Sequence, residues 1–116
     1  MNINEIDGIE RISSKFYKDV EAIITNAKKM PDVNKLVAFG NTLDVKTKDL
    51  DPDDDLLIAV YLNDDKTYED GDLYDYSEQL EKDTHIIYAC IMQWPDYASN
   101  EVMNRDIGRG VLLYGK

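Results

Sequence analysis

Asp53 and Asp55 open the apolar run Leu56-Leu57-Ile58-Ala59-Val60, and an earlier run, Leu36-Val37-Ala38-Phe39, ends in Gly40-Asn41, with eleven residues between the two motifs. Side chains on a strand alternate between faces, so carboxylates at i and i+2 point the same way, roughly 6.5–7 Å apart. Two acids so placed suit one or two Mg²⁺ ions beside a triphosphate. Gly40 has no Cβ, which lets a phosphate approach the backbone of its turn closely. The Asn41 amide can donate a hydrogen bond to a phosphate oxygen.

Plainer readings stand beside this one. Asp51-Pro52-Asp53-Asp54 can be a solvated turn ahead of a strand. A calcium loop starting at Asp51 fails, because Leu56 stands where the loop needs Gly and Leu62 where it needs Glu. His85, the single histidine, opens an apolar run and reads first as a surface or hydrogen-bonding residue. Trp94, Tyr97 and Tyr114 can stack on an adenine, but they equally suit core or edge packing. No Ser/His/Asp triad, Cys/His metal spacing or glycine-rich phosphate loop of the Walker or Rossmann type is present.

The elements that must position these residues follow from periodicity. Ile6, Ile9, Ile12, Phe16, Val20, Ile23 or Ile24, Ala27 and Met30 recur at spacings of three and four, which predicts one amphipathic helix from about residue 4 to 29. Pro31-Asp32 breaks it. A short buried strand over 36–39, a polar loop over 42–52 and a strand over 56–62 follow. A short helix from Asp72 to Leu80, a strand from His85 to Gln93, a helix capped by Ser99 through Asp106 and a strand over 111–114 complete the order. The expectation is one domain over 1–116, a small α/β (α+β) fold whose mixed sheet is flanked by helices.

Composition bounds the partners. Thirteen basic against twenty-four acidic residues leave a formal charge of −11. That field repels phosphodiester backbones, which speaks against free DNA or RNA and for a basic protein partner, unless the acidity serves solubility alone. A nucleoside triphosphate stays admissible with Mg²⁺ screening its charge. Cys90 lies in an apolar run and reads as a buried, reduced thiol. No run of eighteen apolar residues and no basic-flanked signal core occurs, so the expectation is a cytoplasmic protein without a membrane partner.

The Gly-turn, spacer and Asp-x-Asp pattern resembles the minimal nucleotidyltransferases of the DNA polymerase beta superfamily. Their signature is a Gly-Ser turn followed, after a short spacer, by Asp-x-Asp at the head of an apolar strand. The second half of the chain is similar too. Trp94-Pro95-Asp96-Tyr97 precedes a helix, and Ile107-Gly108-Arg109-Gly110-Val111-Leu112-Leu113-Tyr114-Gly115 matches the family's usual ending. The resemblance runs from about residue 5 to 115. It implies transfer of a nucleotidyl group, usually AMP from ATP with Mg²⁺, onto an acceptor hydroxyl such as a protein tyrosine. Asp53 and Asp55 would be the catalytic metal ligands, and Gly40 and Asn41 would hold the triphosphate. Small stand-alone members frequently act as antitoxins beside a helical ribonuclease-type toxin, and some silence it by adenylylation.

The departures concern chemistry. Asn41 stands where the family has serine. In place of the arginines that often follow, Thr42-Leu43-Asp44-Val45-Lys46 offers Lys46 and nearby Lys48 as the only local cations, offset by Asp44 and Asp49. The family's third acid, on the third strand, would fall near Ala89 or its neighbour Tyr88, and Ile86 to Met92 contains no carboxylate. Transfer would then need Asp54 or a distant acid such as Asp83 to reach in. A degenerate member that kept the fold and works as a binding or neutralising protein is the alternative.

Overall fold

The periodic N-terminal stripe is buried as expected, but not on one helix. A computed structural model of the chain describes residues 3–63, 70–92, 105 and 107–115, with 70–73, 91 and 92 as backbone alone. Three single 3₁₀ turns, Ile3–Glu5, Ile9–Arg11 and Ser14–Phe16, precede an α-helix, α1, over Tyr17–Lys28. Gly8 takes φ 84, and the chain is extended at Ile12 (φ −103, ψ 128) and Ser13 (φ −58, ψ 140), which interrupts the expected helix over 4–29. A three-residue repeat serves 3₁₀ turns as well as an α-helix face. Ile9, Ile12, Phe16, Val20, Ile23 and Ala27 are therefore all buried even though the helix holds only the second half of them.

Strand β1 (Val33–Phe39) starts three residues earlier than expected, with a bulge between Val33 and Lys35 where the chain leaves the Pro31-Asp32 turn. Strand β2 is Leu56–Leu62, as expected. Helix α2 (Asp70–Leu80) carries the chain over to strand β3 (Ile87–Met92), which lies parallel to β2. Strand β4 (Val111–Gly115) returns antiparallel to the other side of β1. The sheet order is β3-β2-β1-β4, a mixed four-stranded sheet with two helices, an α+β fold. The expected helix over 99–106 lies mostly outside the described residues, and 105, 107 and 108 are helical.

Alternation divides the sheet between two clusters. Leu36, Ala38, Leu56, Ile58, Val60, Ile87, Ala89, Val111 and Leu113 face the main core with α1 and Leu80 of α2. Val37, Phe39 and Ala59 face the other way, with Ile107 packed on them. Side-chain hydrogen bonds fix the helices to the sheet. The buried Asp19 carboxylate of α1 accepts from the backbone N–H of His85 (3.2 Å) and Ile86 (3.0 Å). That claim on the backbone accounts for β3 beginning at Ile87 and leaving His85 in an exposed bend. The Asn26 amide donates to the carbonyls of Leu80 (2.9 Å) and Lys82 (2.8 Å), satisfying the end of α2. At the outer edge of β3, Glu81 accepts from the Ala89 N–H at 2.8 Å, which occupies a donor that an edge strand otherwise presents to other chains. Among the described residues no helix is long and apolar enough to cross a membrane.

Candidate functional site

The antiparallel pairing of β1 with β2 brings the two sequence motifs to one corner of the sheet. Phe39 sits opposite Leu57, so Gly40, leaving β1, lies beside the residues that enter β2. Gly40 has φ 101, and a Cβ there would meet Leu57 Cδ1 at 3.2 Å. The turn therefore needs a residue without a side chain both for its backbone and for its neighbour. Two residues on, the buried Thr42 hydroxyl donates to the Asp55 carbonyl at 3.4 Å, tying the turn to the head of β2. Gly40, Asn41 and Asp55 are thus neighbours, with Asn41 and Asp55 exposed.

Asp53 is placed differently from the sequence expectation. Regular strand begins at Leu56, and Asp53 lies in the preceding turn. In that turn the Asp54 N–H donates to the Asp51 carbonyl (3.1 Å), and the Asp51 N–H donates to Asp54 Oδ2 (2.8 Å). Strand alternation consequently does not align Asp53 with Asp55. Asp54 already serves the turn, and Asp83 lies at φ 67 in the link between α2 and β3. The parallel register pairs Leu57 with Tyr88 and Ile58 with Ala89. Tyr88 therefore shares the face of Leu57 and is 58% exposed, whereas Ala89 points into the main core, and neither place expected for a third acid holds one. No group of three acid, histidine or cysteine side chains that could hold a metal exists among the described residues. Among the described residues, the acids at this corner do not fit a two-metal centre.

The other side of Gly40 adds Arg11 and Arg109, to which the sequence assigned no part in the site. Arg11, Gly40, Asn41, Leu43, Asp44 and Arg109 line a cavity of about 300 Å³. Arg11 donates to Asp44 through Nε (3.0 Å) and Nη2 (3.1 Å), a two-pronged ion pair. Arg11 Nη2 also donates to the Arg109 carbonyl at 2.8 Å, and the Asp44 N–H returns a bond to the Arg11 carbonyl at 2.8 Å. The Arg11 guanidinium holds the Asp44 carboxyl below its usual range, chiefly through these hydrogen bonds. Asp44 is thus matched with Arg11 across the fold, and not with the neighbouring lysines expected from the sequence. Gly110 sets where Arg109 sits, because a Cβ at 110 would lie 2.2 Å from the Ala38 carbonyl oxygen of β1. Only glycine lets this segment press so closely on the strand that ends at Gly40.

The remaining candidates fall away from the corner. Tyr114 is half-buried against the main core, which is the packing role open to it in the sequence. Trp94 and Tyr97 lie outside the described residues. Cys90 is half-buried on the second face, and burial, then the Glu81 charge, pushes its thiol up, away from thiolate reactivity. Compared with family models and with curated proteins, the chain matches none.

Proposed function

We propose that this chain is a nucleotidyltransferase-like domain that binds rather than transfers: it holds the phosphates of a nucleoside triphosphate, expected to be ATP, at the Gly40 corner and docks on a basic protein. The observation that supports the absence of transfer is that neither Ala89, buried in the main core, nor Tyr88, exposed and paired with Leu57, supplies a third-strand carboxylate. Without an acid there, no base stands ready to take the proton of an acceptor hydroxyl. Docking on a basic partner is supported by the loop over 49–55, where five of seven residues are aspartate and all but Asp54 of those five are exposed. Lys15 braces this loop from behind, donating to the Asp51 carbonyl at 2.7 Å. A partner such as a helical toxin with a basic face would be neutralised by occupation of that face.

A second reading is Mg²⁺-dependent transfer of AMP to a partner hydroxyl, with Asp53 and Asp55 as metal ligands. The specific observation in its favour is the adjacency of the Gly40 turn and Asp55 across β1 and β2. Incubation with α-labelled ATP and Mg²⁺, alone and with an added basic helical protein, separates the two. The proposal expects no incorporation above that of an Asp53→Ala/Asp55→Ala control. Label on the protein or its partner that the control abolishes would establish the transferase reading instead.

A further inference from the structure

We infer that the cavity between Arg11, Arg109 and the Gly40-Asn41 turn is a metal-independent polyphosphate site, with Arg109 as its recognition residue. The inference rests on the reading that this corner holds a nucleotide's phosphates and says which groups hold them. The chain has three arginines, Arg11, Arg105 and Arg109, and two of them meet at this one cavity in a protein of net charge −11. A planar guanidinium is weakly hydrated and presents paired donors that match phosphate oxygens. Such convergence against the overall charge is not what solubility requires.

The two arginines have different parts. Arg11 is tied on both sides, to the Asp44 carboxylate and to the Arg109 carbonyl, so it fixes the wall of the cavity and contributes its charge in place. The Arg109 side chain is exposed, and no described residue forms an ion pair or side-chain hydrogen bond with its guanidinium. Its backbone is immobilised twice over, by the Arg11 bond and by the glycine contact at Gly110. A guanidinium without a partner among the described residues, on a held backbone and in one cavity lining with a glycine turn that a phosphate can approach closely, suits an anion receptor. Two arginines line the cavity beside the Asp44 carboxylate, and Glu10 adds its negative field at Arg11, so Arg109 is the cation of the lining that neither acid pairs with. Arginine here supplies the positive charge that a carboxylate-held Mg²⁺ supplies elsewhere.

The test is isothermal titration of sodium tripolyphosphate in EDTA into wild type, Arg109→Gln and Asp53→Asn/Asp55→Asn, each checked for folding by circular dichroism. Binding by wild type that weakens at least tenfold in Arg109→Gln, and is unchanged in the aspartate variant, is the expected result. Equal binding by wild type and Arg109→Gln would overturn the site while leaving a phosphate-holding corner. Binding only of ATP with Mg²⁺, lost in the aspartate variant, would overturn it in favour of the carboxylates. Silence toward both ligands, with and without Mg²⁺, would remove the nucleotide reading itself and this site with it.

Discussion

The two sides of the Gly40 turn are made by different means. On the β2 side stand the acids: Asp53 in a turn closed by Asp51 and Asp54, Asp55 ahead of the first strand residue with its carbonyl bonded by Thr42, both exposed. On the β4 side stand the arginines, Arg11 fixed by a two-pronged ion pair and a side-chain-to-carbonyl bond, Arg109 held only through its backbone, by that same bond and by a glycine pressed against β1. The acid side carries the recognisable motif, yet the arginine side carries the rigid construction. A motif locates a corner of a fold, whereas the contacts that hold the corner are made by residues far from the motif in sequence.

Breaking the arginine side at its backbone has the largest expected effect. Gly110→Ala places a Cβ 2.2 Å from the Ala38 oxygen, and neither backbone can yield cheaply. Denaturant unfolding is expected to show a loss of about 2–3 kcal/mol, with a fall in Tm on the order of 10 °C. Gly108→Ala is the internal control, since nothing lies within 4 Å of its added Cβ. If both variants melt alike, the close approach of this segment to β1 is not what seats Arg109.

A smaller effect tests the ion pair. Hydrogen bonds from Arg11 lower the Asp44 pKa in the folded state. The stabilisation it gives is therefore complete above the unfolded carboxylate value of about 3.9, and it fades as pH falls through the lowered folded value. Asp44→Asn suits the left-handed backbone there (φ 63) and removes only the charge. Wild type should melt slightly above this variant from pH 5 to 8, with the gap closing below pH 4. A gap that persists or widens in acid would mean that the pair does not hold the corner.

The smallest effect on stability sharpens the acid side. Tyr88→Asp changes an exposed position, so its stability should stay within about 0.5 kcal/mol of wild type. It adds a carboxylate beside Leu57, two residues beyond Asp55, and Mg²⁺ titration should show affinity at least several-fold above wild type. Unchanged affinity would show that the third-strand position is not what separates this corner from a metal site.

The sequence made much of the frame legible. The β2 boundaries, the sheet-and-helix order and the burial of the N-terminal stripe all follow from apolar spacing. The break in that stripe was not legible, because Gly8 and Ser13 interrupt the α-helix without disturbing a three-residue repeat. Distance along the chain concealed the arginine side. Arg11 and Arg109 stand ninety-eight residues apart and meet only because β4 pairs beside β1. The one local signal was Gly108-Arg109-Gly110, where a glycine beside an arginine ahead of a strand marks a close approach. Counting back from Pro95 pointed to Ala89, with Tyr88 as its neighbour, without the register of β3 on β2, which puts Ala89 in the main core and Tyr88 on the exposed face.

Titration of ATP into wild type and Asp53→Ala/Asp55→Ala, each with Mg²⁺ and with EDTA, tests most directly whether the corner binds without a metal centre. The account predicts binding in EDTA that the double variant retains. Binding that requires Mg²⁺ and disappears in the double variant would contradict it and return the chemistry to the two aspartates.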